Sequence, residues 1–347
     1  MAPLKAPGSD GTPPLFYQHF WSTVNHDITT AILSWLNPGT IPTPLNHTFI
    51  TLIWKQIILN MHTNFDPLVF VMYFTKYILQ SLLINWKKLL LSIIIEHQSA
   101  FTKDRLISDN ILVAFETLHN IQNYNLGTHR YMALKLDMSK AYDQVEWYFL
   151  EELMRKMGFN ERWIKIVVEC MKTVSYSILV NGEPYGMIHP TRRIRQGDPL
   201  SPFLFLLCTE GLNGLIKNAK IHGDIHSFSL CRKGLKLTHL LFTDDSLLFC
   251  RATIEECEKV LLAILNMYEE ASWQKVNRSK TSLFFSKSIL AEVKHGIKVA
   301  LGVPKIMQYE RYLGLPSFVG KGKKESFNYI KERVWRKLQG WEGKLLS

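Results

Sequence analysis

Apolar and polar positions along the chain follow helical spacing in some segments and strand-like spacing in others. Apolar residues recur at helical spacing in segments near 16–36, 73–95, 108–121, 149–157, 161–172, 204–212 and 254–272. Apolar runs of strand length cover 131–137, 175–180 and 281–285. Because the two kinds of element are mixed without strict alternation, the pattern predicts an α+β fold.

Two tight β-hairpins are also predicted. Asn181-Gly182 separates two apolar segments and is typical of a two-residue hairpin turn. In the second hairpin, apolar runs flank Asp244 and Asp245. Two adjacent carboxylates repel each other unless cations lie between them, and carboxylate oxygens are ligands that Mg²⁺ prefers. Ordinary turn composition is the alternative, since aspartate is common in turns.

The composition describes a folded protein with an anionic partner. Hydrophobic residues make up 47% and charged residues 20% of 347 residues, enough for a large core and two or three domains. The net charge is +11, and segment 287–344 holds thirteen Lys or Arg against five Asp or Glu. This excess favours a nucleic-acid-binding surface. A solvated basic tail is the alternative.

Cysteine spacing and hydropathy exclude several other classes. The five cysteines form no CxxC pair and no zinc spacing with the histidines, which indicates a reducing, intracellular compartment. The start of the chain has no signal-peptide pattern. The most apolar stretch, 67–95, is interrupted by Lys76, Lys87 and Lys88, so we expect a buried helix and no membrane partner.

Three polar elements follow in order along the chain. A strand ends at Asp137, a basic loop runs from Arg195 to Pro202, and the hairpin carries Asp244 and Asp245. Carboxylates at a strand end and at a neighbouring hairpin tip could chelate two divalent ions about 4 Å apart. Such a site activates a 3′-hydroxyl and stabilises a leaving pyrophosphate, because phosphoryl transfer depends chiefly on positioning and charge neutralisation.

With these residues the chain resembles the reverse transcriptases of non-LTR, LINE-type retrotransposons, particularly those of plants. The resemblance is carried by segments 5–11, 98–110, 134–143, 195–202, 240–249, 274–281 and 312–316. It implies a right-hand polymerase fold with fingers in 1–130, a palm in 131–318 that contains a fingers-side segment, and the start of a truncated thumb in 319–347. It also implies RNA-directed DNA synthesis on an RNA template from a DNA primer and dNTPs, with two Mg²⁺ ions or, alternatively, Mn²⁺, and placement in the nucleus.

The resemblance assigns roles residue by residue. Asp137, Asp244 and Asp245 correspond to the catalytic metal ligands. Tyr142 corresponds to the steric gate that rejects a ribose 2′-hydroxyl, with a core aromatic as the alternative. The resemblance also implies nucleotide-binding roles for Gln196, Gly197 and Lys280, with a plain turn before a helix as the alternative for the first two and a solvated strand-end lysine for the third. Template or primer contacts are implied for Lys5, Arg105, Arg195, Tyr312, Leu313 and Gly314, with buried packing as the alternative for the last three.

Several positions depart from the family pattern. Asp66 stands where relatives carry arginine in Asp-Phe-Arg-Pro, Trp86 also replaces an arginine, and Trp273 replaces a glycine. Thr243 stands where alanine is common. From these departures and the end of the chain at Ser347 we expect a truncated or degenerate copy with weak or no processive synthesis. The alternative function is a nucleic-acid-binding remnant that no longer polymerises.

Overall fold

The computed structural model describes residues 12–54, 65–71, 86, 89–90, 92–123, 130–139, 141–195, 198–230, 236–306, 311–316 and 323–342. Among these residues, helices and strands are mixed as the sequence predicts, and the chain is an α+β protein. The helices are α1 Pro14–His19, α2 Trp21–Leu36, α3 Ile107–Asn123, α4 Trp147–Lys156, α5 Glu161–Lys172, α6 Ser201–His222, α7 Ile254–Glu256, α8 Ala263–Ser272, α9 Ala291–Leu301 and α10 Lys323–Glu342. A π-helical segment, Cys257–Leu262, joins α7 to α8.

The strands form two main sheets and three two-stranded ribbons. The strands are β1 His47–Trp54, β2 Phe65–Val71, β3 Tyr131–Leu136, β4 Met138–Ser139, β5 Ser175–Val180, β6 Glu183–Ile188, β7 Phe228–Ser229, β8 Lys236–Leu237, β9 His239–Phe242, β10 Asp245–Arg251, β11 Lys275–Val276, β12 Ser282–Phe285, β13 Lys305–Ile306, β14 Arg311–Tyr312 and β15 Leu315–Pro316. The four-stranded sheet has the order β2-β1-β5-β6 and the five-stranded sheet the order β13-β12-β3-β10-β9. The ribbons pair β11 with β4, β14 with β15 and β7 with β8.

The four-stranded sheet combines strands that are far apart in sequence. Strand β1 pairs in parallel with β5, so His47 lies opposite Ser175. The β5–β6 hairpin therefore extends a sheet that begins in the first 71 residues. This pairing is the arrangement expected of a fingers-side segment inserted within 131–318, although the domain boundaries themselves stay predictions.

The five-stranded sheet is covered on both faces. Alternate residues of β3, among them Met132, Leu134 and Leu136, pack with side chains of α6, α8 and α9 on one face. Ala133 points to the other face, where α3 and Tyr312 contribute to a separate cluster. A third cluster lies between α4, α5 and the start of α6. Side chains packed on both faces exclude water from the sheet, so strands β9 and β10 have fixed positions relative to the helices.

Most predicted elements are found where periodicity places them. The predicted helix 16–36 is divided at Phe20 into α1 and α2, and the Asn181-Gly182 turn has φ of 52° and 88°, as a two-residue hairpin requires. Helix α3 begins at Ile107, so Ser108 and Asp109, which are of residue types common at helix N-caps, lie in its first turn. The prediction for 73–95 falls mostly outside the described residues. No helix in the described part of the chain is long and apolar enough to cross a membrane.

Candidate active site at the aspartate hairpin

A two-residue turn carries the first of the paired aspartates. Strands β9 and β10 pair with Asp245 opposite Phe242, which leaves Thr243 and Asp244 as the turn. Thr243 has φ of 52°, a left-handed conformation that a β-branched residue rarely adopts. Its hydroxyl lies 2.8 Å from Asp244 Oδ1 and 2.7 Å from the Phe242 carbonyl. Asp244 is exposed, whereas Asp245 begins β10 and is half-buried.

The strand register brings Asp137 to the same hairpin. Strands β10 and β3 are antiparallel, with Ser246 opposite Leu136. Continuing this register by one residue sets Asp245 opposite Asp137, where Cα atoms are about 4.5–5.5 Å apart. The Asp137 carbonyl accepts a hydrogen bond of 2.8 Å from the Asn277 amide, which holds the end of β3 in place. Three carboxylates therefore occupy one end of the central strands.

The backbone positions of the three aspartates are close in space, but their side chains do not converge on one point. Among the described residues, no group of three or more His, Cys, Asp or Glu is arranged to hold a metal ion. The donor types nevertheless fit Mg²⁺, because the hairpin supplies hard carboxylate oxygens. Like charges this close repel each other unless a cation lies between them, so separated side chains are expected. The assignment of these three residues as metal ligands stays a prediction.

Tyr142 lies beside the hairpin. Burial, and then the negative charge of Asp244, raise the pKa of Tyr142 to about 12. The phenol is therefore neutral at pH 7 and within electrostatic reach of that carboxylate. Its ring stacks on Phe205, with centroids 4.7 Å apart and an interplanar angle of 21°. The predicted nucleotide-binding tyrosine is thus close to a predicted metal ligand.

Lys280 belongs to the segment that contacts the end of β3. Strand β11 pairs with β4, which follows Asp137 directly. The Lys280 amide donates to the Asn277 carbonyl at 3.1 Å, and its side chain is exposed. The lysine is therefore three residues from the amide that binds the Asp137 carbonyl. Lys140, the next basic residue after Asp137, lies outside the described residues, as do Gln196, Gly197 and Lys5.

Arg195 is buried, which differs from the template-contacting position that the resemblance implies. Its side chain is 4% exposed, and one guanidinium nitrogen lies 3.8 Å from Asp198 Oδ2. Nη2 donates to Asn46 Oδ1. Asn46 in turn donates to the Cys170 carbonyl at 2.8 Å and to Thr173 Oγ1 at 2.9 Å. Through Asn46, Arg195 therefore connects the loop 195–202 to the end of α5 and the start of β1.

Arg105 also makes contacts within the protein. Its guanidinium donates to the carbonyls of Gln98 at 2.6 Å, Ile94 at 3.2 Å and Ile95. Ile94 and Ile95 directly follow helical residues 92–93, where carbonyls have no partner within a helix, and Gln98 forms a β-bridge with Leu241. Arg105 is half-buried, and its hydrogen bonds hold residues 94–98 in place, which is a structural role.

Residues 311–316 form a hairpin beside strands β9 and β10. Leu313 and Gly314, with φ of 49° and 85°, form its two-residue turn. Tyr312 is 3% exposed, and its hydroxyl donates to Asn110 Oδ1 at 2.9 Å. Burial, with the Asp245 charge as the smaller cause, raises the pKa of Tyr312. The tyrosine therefore packs beneath the hairpin, while Gly314 is exposed.

Two residues outside the predicted site contribute to its position. Asn110 Nδ2 donates to the Leu241 carbonyl at 3.0 Å, so α3 is bonded both to β9 and to Tyr312. Phe205 supports the Tyr142 ring. A polar residue on the apolar face of α3 was a signal for Asn110. A phenylalanine in the apolar helix α6 gave no signal for Phe205, because its ring contact depends on tertiary packing.

Comparison with known families agrees with this geometry. Residues 71–330 match the family model described as reverse transcriptase (RNA-dependent DNA polymerase), and this match covers three quarters of the 347 residues. The chain belongs to the reverse transcriptase family. A polymerase fold with palm and fingers follows from this membership, and the mixed helices and sheets are consistent with it.

Similar proteins come from transposable elements and from a plant mitochondrion. A transposon TX1 uncharacterized 149 kDa protein of Xenopus laevis is 23% identical over 99% of this chain and 26% of its own length. An uncharacterized mitochondrial protein of Arabidopsis thaliana is 46% identical over 20% of this chain and 56% of its own length. A retrovirus-related Pol polyprotein from the type-1 retrotransposable element R2 of Popillia japonica is 26% identical over 38% of this chain and 20% of its own length. The chain thus spans less than two thirds of each.

Proposed function

We propose that this reverse transcriptase family member copies RNA into DNA as part of a LINE-type retrotransposon of a plant. The observation that carries the proposal is the antiparallel pairing of β3 with β10, whose register, continued by one residue, sets Asp137 opposite Asp245 and next to Asp244 at the turn. Three carboxylates at one end of paired central strands are suited to hold divalent cations during phosphoryl transfer. Family membership supports the same chemistry.

Asp137, Asp244 and Asp245 would hold Mg²⁺, with Mn²⁺ as an alternative. When bound, two such ions supply activation of the primer 3′-hydroxyl and neutralisation of the pyrophosphate charge. The protein contributes the placement of the carboxylates on paired strands whose positions are fixed by packing on both faces. Because the strands are rigid, only the side chains must turn toward the ions.

The incoming dNTP would lie between the hairpin and Tyr142. The Tyr142 ring would exclude a ribose 2′-hydroxyl, and its neutral phenol adds no charge beside Asp244. Lys280 would contact the pyrophosphate, because its segment is bonded to the end of β3. Gln196 and Gly197 remain candidates for contact with the templating base pair.

The RNA template and the DNA primer would lie across the exposed side of the hairpin. The turn at Leu313 and Gly314 is placed beside β9 and β10 and supports the primer-contacting role. Lys5 remains a candidate for template contact. We leave Arg105 and Arg195 out of this surface, because their guanidinium groups bind protein acceptors. A nuclear location, where chromosomal DNA is available as primer, belongs to the same proposal.

The test is Mg²⁺-dependent extension of oligo-dT on poly-rA by the purified chain. Asp137→Asn and Asp244→Asn should each reduce incorporation at least about 100-fold, as expected when a group that stabilises transition-state charge is lost. Asp224→Asn is the matched control, because Asp224 lies beyond the far end of α6 and should leave incorporation unchanged. Equal thermal unfolding of all variants would show that folding is intact.

The result also separates polymerase from nucleic-acid-binding remnant. Asp137→Ala should abolish synthesis while salt-sensitive RNA binding survives, since phosphate contacts come from cations. Incorporation that is unaffected by both Asp137→Asn and Asp244→Asn would overturn the assigned site. RNA binding without any incorporation by the unaltered chain would favour the remnant.

A further inference from the structure

The Tyr142 ring stacks on that of Phe205, a residue that none of the sequence motifs includes. Phe205 is 1% exposed and lies in the second turn of α6. Its ring and that of Tyr142 are nearly parallel, with centroids 4.7 Å apart. Offset stacks of this kind are favourable beyond the burial of their area. The buried ring therefore restricts rotation of the half-buried one.

The backbone around Tyr142 is also anchored. The Tyr142 carbonyl accepts a hydrogen bond of 3.0 Å from the Ile194 amide. The preceding carbonyl, that of Ala141, accepts one of 2.7 Å from Gln274 Nε2, and Gln274 is 1% exposed. These bonds fix the main chain on both sides of the Cα atom. The ring position then depends on χ1 and χ2, whose range the contact with Phe205 restricts.

Excluding a ribose 2′-hydroxyl requires a precisely placed wall, because the two sugars differ by one oxygen atom. A displacement of about 1 Å in an active site can change rates by two orders of magnitude. A tyrosine ring that could rotate away would admit the additional oxygen. The ring must therefore be supported from the side opposite the sugar, and Phe205 is an adjacent buried side chain on α6.

We propose that Phe205 is a positioning residue for sugar selection, acting through the Tyr142 ring. The proposal rests on the proposed function, since it concerns the choice between dNTP and rNTP at the same site. It assigns selectivity to a residue that touches neither substrate nor metal. Replacing the Phe205 ring by a smaller apolar side chain should allow Tyr142 to move and should relax the discrimination.

The experiment compares kcat/KM for dTTP and UTP on poly-rA/oligo-dT. Phe205→Leu should lower the dTTP to UTP ratio by about 3- to 10-fold, the range expected from loss of one aromatic pair. The change should come mainly from faster UTP incorporation. In a Tyr142→Ala background, Phe205→Leu should have no further effect on the ratio, because its action requires the tyrosine ring.

Phe228→Leu is the matched control. Phe228 is also 1% exposed and also contacts a tyrosine ring, that of Tyr131, with centroids 5.1 Å apart. This variant should lose comparable stability and keep the selectivity of the unaltered chain. A second measurement uses 3-fluorotyrosine labelling: the ¹⁹F resonance of Tyr142, assigned with Tyr142→Phe, should shift in Phe205→Leu and not in Phe228→Leu.

The outcomes are distinguishable. If the unaltered chain incorporates neither nucleotide, the proposed function fails and this inference fails with it. If the chain prefers dTTP and Phe205→Leu keeps that preference, the inference alone is overturned. An equal loss of selectivity in Phe205→Leu and Phe228→Leu would assign the effect to general destabilisation and would also overturn it.

Discussion

Replacing Asn46 by alanine should destabilise the protein far more than replacement of a surface asparagine. Asn46 is 1% exposed and binds three partners that lie more than 120 residues away in sequence. Its amide donates to the Cys170 carbonyl and to Thr173, and its oxygen accepts from the buried Arg195 guanidinium. Alanine offers none of these contacts and leaves each partner buried.

The magnitude follows from the groups that lose a partner. A hydrogen bond to a charged group contributes about 1.5–3 kcal/mol and a neutral one about 1 kcal/mol. One bond to Arg195 and two neutral bonds together give about 3.5–5 kcal/mol. Loss of burial area adds little, because the side chain is small and polar. This is a large fraction of the ~5–15 kcal/mol by which domains are stable.

The measurement is guanidinium-induced unfolding at pH 7, read as the change in midpoint at constant slope. Asn120→Ala is the control, because the one partner of the Asn120 amide among the described residues is the Glu116 carbonyl one turn earlier on the same helix. We expect the control to change the free energy of unfolding by less than about 0.5 kcal/mol. A loss below about 1 kcal/mol for Asn46→Ala would refute the reasoning.

The same variants test the role of Arg195. In Asn46→Ala/Arg195→Met the two losses should be less than additive, because each single change already breaks their shared bond. Arg195→Met should also leave the salt dependence of RNA binding unchanged. A side chain that contacted one template phosphate would instead lower the slope of log K against log salt by about 0.7, and that result would return Arg195 to the template surface.

Two further predictions concern a turn and a buried imidazole. Asn181→Ala should lower the free energy of unfolding by about 1 kcal/mol, because Asn181 is exposed with φ of 52° and alanine tolerates this conformation poorly. Asn181→Gly should leave the free energy of unfolding unchanged. Equal losses in the two variants would contradict the explanation. Burial lowers the pKa of His239 from 6.5 to about 3. Its stabilising contribution is therefore complete above pH 6.5 and is lost as pH falls toward 3, by up to about 1.4 kcal/mol per unit. Urea unfolding between pH 6.5 and 4 should show a steeper loss for the unaltered chain than for His239→Asn, and parallel curves would refute this.

A positive φ angle marks one departure from the pattern that the resemblance leads us to expect. Trp273, where that pattern has glycine, ends α8 with φ of 61°, a left-handed conformation that glycine tolerates without strain. Thr243, where that pattern has alanine, has φ of 52°, which is unfavourable for both residue types, so the angle does not explain this departure. Trp86, where that pattern has arginine, is 2% exposed and packs against Trp163 at 5.6 Å between ring centroids. At this position the chain therefore has a core residue and not a cation.

Local patterns were sufficient for the elements and for the order of the chemical groups. Apolar periodicity predicts the helices around 108–121 and 161–172, and the Asn181-Gly182 turn and the hairpin that carries Asp244 and Asp245 follow from flanking apolar runs, because these features depend on residues close in sequence. The turn of the second hairpin is nevertheless Thr243-Asp244, with Asp245 already in β10. Tertiary structure decided the parallel pairing of β1 with β5, the register that sets Asp245 opposite Asp137, and the burial of Arg195. Each depends on groups more than 100 residues apart. A basic residue in a polar loop has the same sequence appearance whether it binds phosphate or a buried asparagine, and only the folded neighbours distinguish the two.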